Sequence, residues 1–321
     1  MTAAPRLSIG LPVYNGERYL AESLDSLLGQ SYENFELIIS DNASTDATAD
    51  ICRRYGQQDS RIRYFRQAKN IGLSPNHNFV FEQSCGEFFK WAASDDLYAR
   101  DLLEYCIEAL DKYPDIALAH CWTAIIDSGG NVTEASEYPL ATDSPSAPER
   151  FRSFLSCKTA ACDQYGVIRA EVMRRVSPLG SYHHADVIMV ARFVLQGPFY
   201  QTSDWLTFRR DYPERAYLAY PKVRIRCVNL DPRRANPLKH PAARLLAEYM
   251  WGYVTAIRDA PLSPADRREC YRHLARWMLN WAGDRVGVRR PTASAEQPAP
   301  VPGHRSASVH AVVAGQEGRA S

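Results

Sequence analysis

The stretch "LSIGLPVYNGERYLAESLDSLLGQSYENFELIISDN" (residues 7–42) decides the fold. A short apolar run, "LSIGLPV", breaks at Tyr14-Asn15-Gly16. Apolar residues then recur at Tyr19, Leu20, Leu24, Leu27 and Leu28, the spacing of one helix face. A second apolar run, "FELIIS", ends at Asp41. Strand, helix, strand in 36 residues is the opening of a parallel sheet, because parallel neighbours need a crossover between them.

The alternation continues downstream. "STDATADICRRYG" predicts a helix capped by Ser44 or Thr45 and stopped at Gly56, and "IRYFR" (62–66) predicts a third strand. "SPNHNFVFEQSCG" predicts a helix with Pro75 in its first turn, "EFFKWAA" a fourth strand and "ARDLLEYCIEALDKYP" a further helix. "IALAHCWTAIID" predicts a fifth strand that turns at "SGGN". The expected class is α/β, a mostly parallel Rossmann-like sheet flanked by helices. Residues 127–160 read as loop-rich, "YGVIRAEVMRRVSPLG" as a strand leading into a short helix, "HHADVIMVARFVLQG" as a helix and "WLTFRRDYPE" as a strand. Two helices are expected within 237–285, and residues 291–321, rich in Pro, Ala, Ser and Gly, are expected to be disordered. The expected division is 1–125 and 126–235 as two halves of one domain, 236–290 as a C-terminal helical extension and 291–321 as a tail.

Bulk properties narrow the classes. The chain has 321 residues, 45% of them hydrophobic, enough for a substantial core. Residues 1–200 carry 18 basic and 26 acidic side chains, whereas 201–290 carry 18 and 9. A basic third suits phosphates or an anionic surface, but no recognisable nucleic-acid-binding motif accompanies it. None of the eight cysteines forms a C-x-x-C pair, so neither a zinc site nor a disulfide framework is expected. The N-terminus lacks an apolar signal region, which leads to the expectation of a cytoplasmic protein, reaching at most the inner face of a membrane.

In open parallel sheets, ligands bind beyond the carboxyl ends of the strands. There the sequence delivers Tyr14 and Asn15, Asp41 and Asn42, Asn70 and Gly72, and Ser94-Asp95-Asp96. Adjacent carboxylates repel each other, and Mg²⁺ or Mn²⁺ would relieve that, since Mg²⁺ takes one or two carboxylates and completes its shell with phosphate and water. One carboxylate would hold the metal and the other the ribose hydroxyls. The alternative is that Asp95 or Asp96 caps the helix starting near Ala99. A dinucleotide enzyme would show G-x-G-x-x-G after the first strand, and "PVYNGERYL" does not.

With its order and spacing, "IGLPVYNGERYLAESLDSLLGQSYENFELIISDNASTDATADI" followed by "NIGLSPNHNFVFEQSCGEFFKWAASDDL" resembles the family-2 inverting glycosyltransferases of GT-A fold. The resemblance covers about residues 6–212. It implies a transferase moving a sugar from a UDP-, GDP- or dTDP-type donor to a hydroxyl acceptor such as a glycan, glycolipid or secondary metabolite. It implies donor contacts at Pro12, Val13, Tyr14, Asn15, Asp41, Asn70, Ser94 and Asp95, and a divalent metal at Asp96 and Asp95. The catalytic base would be Asp186, at the start of a helix, where it would otherwise be an ordinary cap. Gly166 falls in the acceptor-side wall, where it would let backbone or sugar approach closely. Arg209 and Arg210 would steady the diphosphate, or else pair with Asp211 and Glu214. Two positions depart from the family pattern: Ala93 stands where many relatives have a further acid, and Tyr212 where many have histidine.

His183 and His184 are read as loop-surface residues, Trp91 as core and Lys90 as a weak donor contact. The C-terminal helices, with Trp251, Trp277 and Trp281 among arginines, are read as packing on the catalytic body, with peripheral membrane contact as the alternative. Two other functions stay open: a catalytically silent nucleotide-sugar-binding protein, and a sugar nucleotidyltransferase, which would usually carry a Gly-rich, Arg-containing loop after strand one.

Overall fold

The structure, a computed structural model, describes residues 4–135, 142–156, 164–214 and 222–285. The expected tail 291–321 lies outside the described residues. Strands β1 (Leu7–Val13), β2 (Phe35–Asp41), β3 (Ile62–Arg66) and β4 (Phe88–Trp91) form the parallel half of one sheet, in the order β3-β2-β1-β4. Helices α1 (Leu20–Leu28), α2 (Thr48–Gln58) and α3 (Leu73–Glu82) connect them. The strands are continuous hydrophobic runs because both faces are covered, as a parallel sheet requires. β1 and β2 run in register from Leu7 opposite Phe35 to Val13 opposite Asp41, so their carboxyl ends finish side by side.

The second half of the sheet is mixed. Beyond β4 come β8 (Val167–Arg169), β6 (Leu118–Ile126), β9 (Phe199–Arg210) and β5 (Leu97–Tyr98), while β7 (Val132–Ala135) pairs with β6. β8 is antiparallel to both β4 and β6, β6 is parallel to β9, and β5 is antiparallel to β9. The expected α/β class with a sheet flanked by helices holds, and this half supplies its antiparallel pairs. β5 is two residues long and carries no periodic signal, and β9 is longer than "WLTFRRDYPE", beginning at Phe199 and ending at Arg210.

The helices of this half are α4 (Leu102–Lys112), α5 (Ala147–Ser156), α6 (Ala170–Val176) and α7 (Ala185–Gln196). The C-terminal extension adds α8 (Val223–Leu230), a 3₁₀ turn at Pro232–Ala235, α9 (Ala242–Asp259) and α10 (Pro264–Arg285). α9 and α10 bury Tyr253, Ala256, Ile257, Cys270 and Leu274 in one cluster with Phe151, Ile188 and Phe193, so the extension packs on the catalytic body. Among the described residues, no helix is long and apolar enough to cross a membrane.

Two local expectations change. α2 is not capped by Ser44 or Thr45; its N-terminus follows Ala47, Asp46 accepts from the Thr48 N–H at 3.0 Å, and the helix runs through Gly56 to Gln58. Asp95 and Asp96 do not cap α4 either, since that helix begins at Leu102, next to Asp101.

Candidate active site

The loop after β1 is tied to the loop after β2 by reciprocal hydrogen bonds. Asn15, at φ 51°, donates its N–H to Ser44 Oγ at 2.9 Å, and its Oδ1 accepts from the Thr45 N–H at 2.9 Å. Glu17 N–H donates to Asp46 Oδ2 at 3.1 Å, and Ala47 N–H donates to Glu17 Oε2 at 2.9 Å. A left-handed non-glycine residue costs free energy, and here four backbone tethers hold it. The clasp fixes Pro12 and Val13 at the end of β1 and leaves the Tyr14 ring 49% exposed over the sheet edge.

Asp41 is 0% exposed. Its Oδ1 accepts from Ser44 N–H at 2.8 Å, its Oδ2 accepts from Tyr64 Oη at 3.0 Å, and Arg66 Nε lies 3.5 Å away. Asp41 thus holds the turn after β2, with both oxygens engaged by protein donors. Asn42 ties this edge to the next loop: its Nδ2 donates to Asn70 Oδ1 at 3.0 Å and to Gly72 O at 3.2 Å, and its Oδ1 accepts from Ile71 N–H at 2.8 Å.

The acidic stretch follows β4. Ser23 Oγ donates to Ala93 O at 2.9 Å, and Ala93 N–H donates to the buried Tyr98 Oη at 2.8 Å, so the backbone before the acids is fixed from two sides. Asp95 is half-buried, and its Oδ2 accepts from Tyr212 Oη at 3.0 Å. Asp96 is 4% exposed, and its Oδ1 accepts from Arg210 N–H at 3.0 Å. The antiparallel pairing of Leu97 with Phe208 produces this arrangement by bringing the exit of β9 alongside the acids. The exit of β9 is thus joined to the acidic stretch through Tyr212.

Arg210 does not turn its guanidinium toward the open edge. It is 1% exposed, its Nε donates to Asp95 O at 3.0 Å, its Nη1 to Ser128 O at 3.2 Å and its Nη2 to Glu22 Oε2 at 2.7 Å. It also lies over the Tyr19 ring at 4.3 Å. Arg210 pairs with the Glu22 carboxylate, and Glu214 pairs with Arg18 at 3.8 Å. Arg209 is half-buried and points to the other face of β9.

Gly166 sits against β6, where a Cβ would come within 2.7 Å of Ala119 O. Its small size admits the backbone of β6. Lys90 is buried in β4, its Nζ donating to Tyr165 O and lying 5.1 Å from the Tyr98 ring, and burial lowers its pKa. It links β4 to the segment before Gly166 instead of reaching a donor. Trp91 is core, as expected, with Nε1 donating to His77 O at 3.1 Å.

Asp186 is the second residue of α7, half-buried, and its Oδ1 accepts from Val187 N–H at 2.9 Å. The N-cap position belongs to His184, in the left-handed region at φ 55°. The two histidines are not loop-surface residues. Their rings lie 3.8 Å apart, and His184 stands 5.3 Å from the Tyr249 ring of α9. Burial, His184 and Arg226 push the His183 pKa down to about 4. Burial also lowers that of His184, with Asp186 opposing and Arg226 assisting. Tyr249 and Arg226, from distant helices, carried no local signal in the sequence.

Hard divalent cations take oxygen ligands, and Asp95 and Asp96 supply adjacent carboxylates at the mouth of the sheet. No group of three or more His, Cys, Asp or Glu that would hold a metal occurs among the described residues. The donor set therefore fits Mg²⁺ or Mn²⁺ sharing its shell with a diphosphate and water, and does not fit an all-protein cage.

Among solved structures, the chain is similar to S. aureus TarS 1–349 in complex with UDP-GlcNAc (TM-score 0.52, 15% identity, covering 88% of this chain and 92% of that one). It is also similar to the mannosyltransferase PcManGT from Pyrobaculum calidifontis in complex with GDP-Man and Mn²⁺ (TM-score 0.50, 18% identity, 90% and 82% covered). At these identities the likeness concerns the fold, which is GT-A. Among curated relatives, an uncharacterized glycosyltransferase of Rickettsia typhi is 36% identical over 127 residues, 39% of each chain. Glycosyltransferase GlyA of Streptococcus pneumoniae is 33% identical over 124 residues, 38% of this chain and 18% of that protein. The matched part thus spans well under half of those relatives. The pattern of glycosyl transferase family 2 matches residues 8–175, more than half of the chain. The chain belongs to glycosyl transferase family 2.

Proposed function

We propose that the chain is a glycosyltransferase that inverts the anomeric centre as it moves a sugar from a nucleotide-diphosphate donor to a hydroxyl acceptor. The carrying observation is the paired carboxylates Asp95 and Asp96 at the carboxyl edge of the sheet, held by Tyr212 and Arg210 from the exit of β9. The complexes of fold neighbours with UDP-GlcNAc and with GDP-Man and Mn²⁺ support a nucleotide-sugar donor for this chain too. The clasped loops at Pro12–Asn15 and Asp41–Ser44 receive the nucleoside, with Tyr14 presenting an exposed ring to the base and Asn70 closing the side. Ser94 and Asp95 face the ribose and diphosphate, and Asp95 and Asp96 would hold a divalent cation. When bound, that cation offsets the charge of the departing nucleoside diphosphate.

Asp186 takes the proton from the acceptor hydroxyl. The hydroxyl oxygen bonds to the anomeric carbon from the face opposite the diphosphate, and the bond from that carbon to the diphosphate oxygen breaks. The N-terminus of α7 favours the ionised carboxylate. Arg210 braces the acidic stretch through Asp95 O and the Asp96 carboxylate and does not touch the leaving group. A cytoplasmic site of action belongs to this reading. Residues 1–125 form the donor half and 126–235 the acceptor half.

Asp186→Asn tests the base. The variant keeps nucleotide-sugar affinity by calorimetry while transfer to a saccharide panel falls about 10²–10⁴-fold. Turnover within a factor of about two of the parent would remove Asp186 from the mechanism and favour a silent binding protein if the parent also fails to transfer.

A further inference from the structure

The C-terminal extension reaches the loop that launches the Asp186 helix and seals it on one side. Gly72, at φ +95°, lies so close to the end of α8 that a Cβ would come within 2.6 Å of Leu230 O. That backbone region is open essentially to glycine alone, so the donor-side loop and the extension are built to touch. The buried Asp231 accepts from Arg233 N–H at 3.0 Å, which fixes the turn after α8. On α9, Tyr249 Oη lies 3.1 Å from Tyr253 Oη, and Tyr253 is buried in the core. The Tyr249 ring is therefore held rigidly, 5.3 Å from the His184 ring and 6.2 Å from the His183 ring.

Three flat rings thus meet beside the carboxylate assigned as base. One of them, His184, stands in a left-handed conformation at φ 55°. Strain retained next to a reactive group, without a capping hydrogen bond from its side chain, points to a task for the ring itself. Aromatic faces are electron-rich and attract polarised C–H groups, while the imidazole and phenol edges offer hydrogen bonds. The apolar C–H face of a pyranose ring, with hydroxyls around its rim, matches both. A lipid hydroxyl would require an apolar channel, and these rings have polar edges.

We propose that His184 and Tyr249 form the acceptor platform, that the acceptor presents a pyranose ring to it, and that the C-terminal extension thereby sets acceptor specificity. This rests on the transferase reading above, with Asp186 as base.

Saturation-transfer NMR tests it with methyl glycosides of glucose, mannose, galactose and N-acetylglucosamine, in the presence of UDP or GDP and Mn²⁺. The expected result is saturation of ring protons in at least one glycoside, retained in Tyr249→Phe and reduced at least about fivefold in Tyr249→Ala. Because Tyr249 touches the core, His184→Gly provides a second variant. Glycine suits the φ of 55°, so that protein stays folded while losing the ring, and the signal falls similarly. Absence of saturation in the parent protein, or an undiminished signal in both ring-deleted variants, overturns the proposal. Calorimetry of the same samples separates the two readings. Nucleotide binding without glycoside saturation sinks the acceptor platform alone, whereas no binding of UDP-, GDP- or dTDP-sugar sinks the transferase reading.

Discussion

Replacing Arg210 with alanine removes a buried guanidinium that joins three parts of the chain. The side chain bonds Asp95 O before β5, Ser128 O after β6, and Glu22 on α1, and stacks on Tyr19. Hydrogen bonds from a charged donor contribute about 1.5–3 kcal/mol each, with a lower value where the partner is wet. Glu22 is 47% exposed, so its ion pair adds only about 0.5–1 kcal/mol. The two carbonyl bonds and the ring contact bring the loss to about 4 kcal/mol, in line with the cost of breaking a buried pair from one side. For a chain of 321 residues, with an unfolding entropy of about 2.1 cal/mol/K per residue, that lowers the melting temperature by roughly 6 °C. Near-ultraviolet circular dichroism reads the melt, and calorimetry well below the transition reads nucleotide affinity. Arg210→Lys recovers little, because a compact ammonium cannot span the separated acceptors that the planar guanidinium reaches from Nε, Nη1 and Nη2. A melting temperature within about 2 °C of the parent, combined with lost nucleotide affinity, would refute this reasoning and return Arg210 to the diphosphate.

Two further outcomes follow from single contacts. Tyr212→Phe deletes the bond to Asp95 Oδ2 and is expected to weaken Mn²⁺-dependent nucleotide binding about 5–10-fold, worth about 1–1.4 kcal/mol, with little change in melting; unchanged affinity would separate Tyr212 from the site. Glu36 lies at the opposite end of the sheet. Burial alone would raise its pKa, but bonds from Ser8 Oγ and Arg63 Nη1, both 2.6 Å, and from Cys85 hold it below the ordinary value. A depressed carboxylate stabilises the fold above its unfolded pKa and loses that contribution as pH falls through the folded one. Glu36→Gln should therefore cost about 1–2 kcal/mol near pH 7 in urea unfolding and progressively less below pH 4.5, and a pH-independent difference would contradict the linkage.

The strand-helix alternation of residues 7–126 is written in the sequence because parallel strands are buried on both faces and read as unbroken apolar runs. The same rule locates the polar strand ends, including Asp95 and Asp96, from the sequence. What it did not reveal depends on pairing at long range or on weak local signals. α8 buries only Cys227, so its residues lack helical periodicity. α5 lies in a proline-bearing stretch and hides a charge: Arg150 is buried, donating from Nε to Val194 O at 2.8 Å, and burial pulls its pKa down to about 10. Arg210 and Glu22 are 188 residues apart, and Tyr212 and Asp95 117. A two-residue strand, β5, brings the latter pair together, and no spacing rule foresees it. The histidines before α7 read as surface residues because the partner that half-buries them, Tyr249, belongs to a helix that looked like packing.

The account stands most directly on the nucleotide end of the site. Isothermal calorimetry of UDP-, GDP- and dTDP-sugars, with Mn²⁺ and with a chelator, would be run on the parent protein, Asp95→Ala and Asp96→Ala, each first shown to melt cooperatively. The account predicts one donor that binds with Mn²⁺, at least tenfold weaker binding with chelator, and a similar loss in either variant with Mn²⁺ present. Binding that is equally tight in the parent and both variants, with or without metal, would contradict it.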